Sequence, residues 1–319
     1  MDRLDDLSAW RIFCEIVRSK SLIAACERLD CDLSKVSRAL KALEDRLGTQ
    51  LLTRNGRHVR LTATGQIAYE KVLPLLAMHT EMLQTLQTDQ SELAGPIHVA
   101  ADPGLASSEI TPALVDFQRQ YPNIHFQLTE LTEPLPEGFI TDEGHFSDVV
   151  IGYGDKHAAP MPGVLQYEIG DMPFVPCASP LYLNRCGEPR TPEECRFHTG
   201  ILIASTTRRP TMTLTDGYHT VPLHWKSTLS VHNWSAVKSA LQLGAGMVPD
   251  LALYFFMPQF ESGALVPILK GWHRPNETCF IFVREEAAHK HRVQVFVEWM
   301  VKRERQLFAS IRERFPEYF

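Results

Sequence analysis

No stretch of this 319-residue chain holds about 18 consecutive apolar residues, which excludes a membrane-spanning helix. The opening Met1–Asp6 mixes acidic and basic side chains and lacks the apolar core of a secretory signal. Cysteines number seven, an odd count without tight pairing, so a disulfide framework is not expected and a reducing, cytoplasmic setting is. Thirteen histidines bring no HExxH run and no Cys/His cluster at metal-ligand spacing. Neither a G-x-S-x-G elbow, a P-loop nor a dinucleotide fingerprint is present, and Gly244-x-Gly246 alone is only a tight turn. An enzyme is therefore the least favoured class, and no metal or resident cofactor is expected. Solenoid repeats and low-complexity tracts are missing too. What is there, 44% apolar and 22% charged residues, suffices for packed cores, and the length fits about two domains.

Charge is unevenly spread. The net value is −6, yet residues 1–65 carry 12 basic and 9 acidic groups, and Arg28–Arg60 alone has 8 against 4. A modestly basic head on an acidic body suggests a polyanion-binding end.

The apolar spacing of Leu7, Trp10, Phe13 and Val17 predicts a helix over Leu7–Arg18. Ser21 is placed to cap Leu22–Leu29, and Asp32 to cap Leu33–Leu47, which Gly48 closes. Two helices joined by a short turn make a helix-turn-helix. Val36, Leu40, Leu43 and Leu47 are expected on the buried face of the second helix, with Ser34, Lys35, Ser37, Arg38 and Lys41 on or near the other. Leu51–Arg54, Asn55-Gly56 and Arg57–Leu61 read as a hairpin wing, its tip flanked by Arg54, Arg57 and Arg60. Thr62 opens a helix to about Thr88, with an apolar stripe at Ile67, Val72, Leu75, His79, Met82 and Leu86 that predicts self-pairing; Pro74 should kink it. From Ile97 onward short strands alternate with helices, predicting an α/β fold with a largely parallel sheet. The expected strands are Ile97–Ala101, His125–Glu130, Val149–Tyr153, Phe174–Ala178, Gly200–Ala204, Ser227–Val231, Met247–Val248 and Cys279–Val283. Helices are expected over Leu105–Tyr121, Pro180–Cys186, Ser235–Leu243 and His291–Arg314.

Phe13, Ser21, Ala24-Ala25, Val36-Ser37-Arg38, Leu43-Glu44, Leu47-Gly48, Arg54 and Leu61-Thr62-x-x-Gly65 resemble the winged helix-turn-helix signature of LysR-type transcriptional regulators. The resemblance continues through Pro112-x-Leu114-x-x-Phe117, Tyr121-Pro122, Asp148-x-x-Ile151-x-x-Gly154, Ala178-Ser179-Pro180, Gly244-x-Gly246-Met247 and Gly263-x-Leu265-Val266. It implies an α+β chain with three parts. A winged helix-turn-helix covers 1–61, a dimerising linker helix and hinge cover 62–95, and a two-lobed effector domain like periplasmic binding proteins covers 96–319. By the same analogy lobe I is 97–165 with 268–319, and lobe II is 166–267. The implied partners are double-stranded promoter DNA, a second copy (dimer or dimer of dimers) and a small-molecule co-inducer, with RNA polymerase a further candidate. Two departures stand out: Asp32-Leu33 replaces the common Ser-Gln, and Lys35 the common Ala, so operator preference does not carry over. The final helix also runs past the usual end, through Glu304–Arg314, a candidate oligomer contact.

The expected DNA-contacting residues are Ser21, Ser34, Lys35, Ser37, Arg38 and Lys41 toward the groove, with Arg54, Arg57 and Arg60 as phosphate clamps. Strand-to-helix turns supply the expected effector residues: Asp102, Gly104, Leu105 and Ser107; Thr132; Tyr153; Ile203, Ala204 and Ser205; Asn233 and Trp234. An organic, and specifically an aromatic, carboxylate would suit them. Cys177, Cys186 and Cys195, nine residues apart, leave open a redox-sensing regulator, and the α/β part alone would fit a solute-binding protein.

Overall fold

The computed structural model describes residues 7–55, 58–87, 93–131, 133, 135, 137–140, 146–204 and 208–316. Arg57, Thr132 and Ser205 lie outside them. The chain forms two compact units, one covering the first 89 residues and one most of the rest.

In the first unit, helices α1 (Leu7–Ser19), α2 (Leu22–Arg28) and α3 (Leu33–Leu47) bury Phe13, Ile16, Ala25, Val36, Leu40 and Leu43 in one core. Ser21 sits in extended backbone and its hydroxyl accepts the Ala24 amide at 3.5 Å, as expected of a cap. Asp32 behaves otherwise. Its backbone has the extended N-cap geometry, but its exposed carboxylate makes no capping bond, and the first turn closes on its carbonyl, which accepts from Lys35 and Val36. Leu47 also departs from expectation: in the last turn, beside left-handed Gly48, it is 37% exposed rather than core. Strands β1 (Leu52–Asn55) and β2 (His58–Leu61) pair antiparallel as the predicted wing, and the Val59 amide donates to the Lys20 carbonyl between α1 and α2. Helix α4 (Ala63–Gln87) starts where the Thr62 hydroxyl accepts the Gly65 amide at 2.9 Å. Its Leu76 joins the core, while Ile67, Leu75 and Met82 of the predicted stripe are 50–61% exposed.

The second unit is built on a nine-stranded sheet of β3 (Gly95–Ala101), β4 (Ile124–Glu130), β5 (Val149–Gly154), β6 (Val164–Ala178), β7 (Thr199–Ile203), β10 (Ser227–Val231), β11 (Met247–Ala252), β12 (Val266–Pro267) and β13 (Arg274–Arg284). A small separate hairpin, β8 (Thr213–Thr215) and β9 (Thr220–Pro222), bridges Thr215 to His273, just before β13. The main order is β10-β7-β11-β6-β13-β5-β3-β4, with β12 on β6. The expectation of a largely parallel sheet holds only at its ends, where β3 is parallel to β4 and β5, and β7 to β10 and β11. Centrally, β6 and β13 run antiparallel to each other and to β11 and β5. Topology gives the reason: a chain that crosses between two halves and returns must lay its two crossing strands in opposite directions.

The helix expected over Leu105–Tyr121 is interrupted. A π-helical turn, Ala106–Ile110, separates Pro103–Leu105 from Thr111–Gln120, and the Thr111 hydroxyl donates to the Ala106 carbonyl at 2.7 Å. The final helix, His291–Arg314, buries Val293, Phe296, Met300, Phe308 and Ile311 in the core that holds Phe117 and Ile151. Its extra length therefore packs on its own unit. Phe308 lies against β6 at Gly170, whose missing side chain makes the room, and Arg305 Nε donates to the Glu168 carbonyl at 2.9 Å.

The same helix carries a buried charge cluster. Arg303 Nη1 pairs with both Glu109 and Glu304, and the Tyr254 hydroxyl donates to Glu304 at 3.0 Å. Burial, and then Glu109, push the Glu304 carboxyl up to about 7. The folded protein thus keeps a proton that the unfolded chain releases nearer 4.5. Stability should fall as pH rises from about 4.5 through 7, by up to about 3 kcal/mol. Glu304→Gln should flatten that slope in denaturant titrations; an unchanged slope would show that Glu304 is not its source.

Candidate functional site

The first unit exposes a largely polar face of α3. Ser34, Lys35, Arg38 and Lys41 are exposed on α3 and Ser37 is half-buried, while Val36, Leu40 and Leu43 hold the opposite face in the core. Arg38 Nε donates to the Ser34 carbonyl at 3.1 Å, keeping its guanidinium along the helix surface. Arg60 is exposed on β2; the Arg54 side chain, like Arg57, lies outside the described residues. Glu44 fixes the helix to the wing: one oxygen accepts the Leu51 and Leu52 amides at 2.7 and 3.1 Å. The Thr62 hydroxyl completes the joint by donating to the Gln50 carbonyl at 2.7 Å. Sequence reasoning noted Glu44 only as part of a motif; its role as a joint comes from contacts seven and eight residues away.

In the second unit, a cavity of about 630 Å³ is lined by Asp102, Tyr153, Lys156, Arg208, Arg274 and Glu277, among others. A neighbouring cavity of about 410 Å³ shares Asp102 and Tyr153 and is otherwise mostly apolar, with Leu131, Met161, Phe280 and Phe282. Asp102 ends β3, accepts the Gly104 amide at 3.0 Å, and has its carboxyl pushed up by burial. The Tyr153 hydroxyl is buried with no hydrogen-bond partner among the described residues, and burial raises it well above the ordinary phenol range.

Behind the lining arginines lies Asp250, which is 1% exposed on β11. It accepts from Arg208 at 2.6 Å and the Thr211 hydroxyl at 2.5 Å, with Arg274 at 3.6 Å. Burial works against the Arg208 charge, but Asp250 outweighs it and holds the guanidinium above its usual range. Arg208 and Arg274 each lie 4.9 Å from the Phe174 ring centre, and Arg208 also lies 5.1 Å from Trp234. Such cation–π contacts steady a desolvated guanidinium. Among the described residues Arg208 Nε, Arg274 Nη1 and the second Asp250 oxygen, Oδ1, are buried without hydrogen-bond partners.

Of the expected effector residues, Asp102 and Tyr153 line both cavities, and Trp234 lies under Arg208. Gly104 belongs with them by its lack of a side chain: a Cβ there would stand 2.4 Å from Trp234 Nε1. The others turn elsewhere. Leu105 and Ile203 are core residues, because the inward face of each element falls at those positions. Ser107 donates its hydroxyl to the Pro103 and Gly104 carbonyls. Asn233 caps its helix by accepting the Ala236 amide at 2.8 Å, and the Ala204 carbonyl accepts from His232. Sequence reasoning missed Arg208, Asp250, Arg274 and Phe174; only the Arg208-Arg209 pair following a strand was a local cue. Of the three cysteines weighed for a redox switch, Cys177 and Cys195 are fully buried, and burial pushes the Cys195 thiol up to about 12, away from the reactive thiolate.

Among the described residues no cluster of His, Cys, Asp and Glu could hold a metal ion, and no helix is long and apolar enough to cross a membrane. Residues 7–66 match the family model for the bacterial regulatory helix-turn-helix protein of the lysR family, and residues 90–305 match the LysR substrate binding domain. The chain is 27% identical over 308 residues to the uncharacterized HTH-type transcriptional regulator YhjC of Escherichia coli, covering 93% of this chain and 97% of that one. It is 28% identical over 303 residues to the iron-regulated virulence regulatory protein IrgB of Vibrio cholerae, covering 92% and 96%. In fold it is similar to full-length AphB, a virulence activator of Vibrio cholerae, with a TM-score of 0.61, 23% identity, and 94% and 98% of the two chains covered. A second similar structure is CrgA of Neisseria meningitidis, with a TM-score of 0.52, 22% identity, and 93% and 98% covered. A winged helix-turn-helix whose core leaves one basic helix face exposed, followed by a nine-stranded sheet unit that carries a polar cavity, is thus matched in sequence along nearly its whole length, and the chain belongs to the LysR family of DNA-binding transcriptional regulators.

Proposed function

We propose that this regulator senses a small organic acid, with an aromatic carboxylate the best fit, in the cavity beside Arg208. The observation that carries the reading is the basic lining of that cavity. Lys156, Arg208, Arg209 and Arg274 line it against Asp102, Asp155 and Glu277, and burial pushes the Asp102 carboxyl toward its neutral form, so the wall favours an anion. A ligand carboxylate would pair with these guanidinium groups, and Tyr153, with Phe280 and Phe282 of the neighbouring cavity, offers aromatic rings to its body. On DNA, Ser34, Lys35, Ser37, Arg38 and Lys41 face base edges, with Ser21 at the start of the preceding helix. Arg54, Arg57 and Arg60 hold phosphates. The exposed Ile67, Leu75 and Met82 pair α4 with a second copy, and ligand binding alters the geometry of that oligomer on its promoter.

Calorimetry of the full chain against aliphatic and aromatic carboxylates tests the ligand reading. Binding should appear for some of them, and Arg208→Ala should weaken it by about 10- to 100-fold, the size of a lost charge-assisted bond. If no carboxylate binds at millimolar concentration, the acid reading falls. Heat released only on peroxide treatment, with loss of titratable thiols, would favour the cysteine-based alternative.

A further inference from the structure

We infer that Leu33 selects a thymine in the operator through the base's 5-methyl group. The inference rests on the reading that α3 enters the major groove.

Leu33 is the first residue of α3 and is 50% exposed, although three aliphatic positions of the same helix, Val36, Leu40 and Leu43, are at most 3% exposed. The core of the unit does not include it. An aliphatic side chain left out at that point contributes nothing to folding comparable to its buried neighbours. In a helix-turn-helix the amino-terminal residues of the second helix approach base edges, so Leu33 stands at the reading end. Leu47, the other exposed leucine of α3, is 14 residues away at the far end, about 21 Å along the axis.

Leucine has no donor or acceptor for a base edge. Of the groups that base pairs display in the major groove, the thymine methyl is the one suited to an aliphatic partner. The flanking residue sharpens this. Asp32 keeps an exposed carboxylate that caps nothing, and a negative charge beside Leu33 disfavours approach of this helix end to phosphate. Ser34 and Lys35 follow, both exposed and able to bond neighbouring bases or phosphate. The helix start is thus divided into an apolar reader and polar neighbours.

The test is selection of the full chain on a random duplex library, followed by replacement of each thymine in the recovered half-site with deoxyuridine, which removes only the methyl. One thymine per half-site should emerge whose replacement weakens wild-type binding about fourfold, the worth of one buried methyl. The same replacement should leave Leu33→Ala binding unchanged. Leu33→Gln should lose the preference for thymine at that position and select another base there. Because Leu33 lies outside the core, both variants keep the fold. Equal sensitivity of wild type and Leu33→Ala to every deoxyuridine would overturn the inference while leaving DNA binding intact. A library from which no duplex is retained would instead overturn the groove reading, and this inference with it.

Discussion

Asp250→Ala should lower the stability of the second unit by about 3–5 kcal/mol, the usual cost of stranding buried charge. Asp250 accepts from Arg208 and Thr211 and sits 3.6 Å from Arg274. Removing it leaves Thr211 without its acceptor, Arg208 without a counterion, and Arg274 with Glu277 alone. Their stacking on Phe174 persists, but cation–π contact supplies only about 0.5–2 kcal/mol and does not replace a carboxylate. Asp250→Asn keeps the shape and one accepting oxygen, so it should cost less than alanine. Denaturant unfolding followed by tryptophan fluorescence reads both. A loss below 1 kcal/mol for the alanine variant would mean that the two arginines do not depend on Asp250, and the cavity wall would need another explanation.

Gly65→Ala should cost the first unit about 3 kcal/mol or more, in the range reserved for forced steric conflict. A Cβ at Gly65 would stand 1.9 Å from the Leu51 carbonyl oxygen and 2.9 Å from its carbon. Backbone cannot rotate aside as a side chain can, and this backbone is pinned at both ends. The Leu51 amide donates to Glu44, and the Leu51 carbonyl accepts the Thr62 amide at 3.0 Å. Any shift of Leu51 therefore disturbs the joint between α3 and the wing. Gel shifts should show DNA affinity lost, while calorimetric binding of a carboxylate by the second unit is kept. Wild-type DNA affinity in this variant would show that the joint is not needed to hold the reading face.

Local chemistry explains what was legible in advance. The bounds of α3 follow from an apolar face at Val36, Leu40 and Leu43 and a closing Gly48, all within one element. Its partner wing is announced by Asn55-Gly56 between extended runs, and the final helix by its regular apolar spacing. Strand β6 was legible only from Phe174. Its first ten residues carry Glu168, Gly170, Asp171 and Pro173, a poor strand composition, and are held by pairing with β13 more than a hundred residues on. The cavity was legible in part for a related reason. Asp102, Gly104, Tyr153 and Trp234 sit at the ends of strands and the starts of helices, whereas Arg208, Asp250 and Arg274 meet from three distant segments with no shared pattern. Leu105 and Ile203 were misassigned because a turn position does not say which way a side chain points.

The most direct test of a sequence-reading head is binding of the full chain to a duplex recovered by selection, measured as a function of salt by fluorescence anisotropy. The account predicts tight binding in dilute buffer that weakens linearly on logarithmic axes, with Arg60→Ala reducing the slope by about one. Absence of affinity for every duplex at the lowest salt would contradict it.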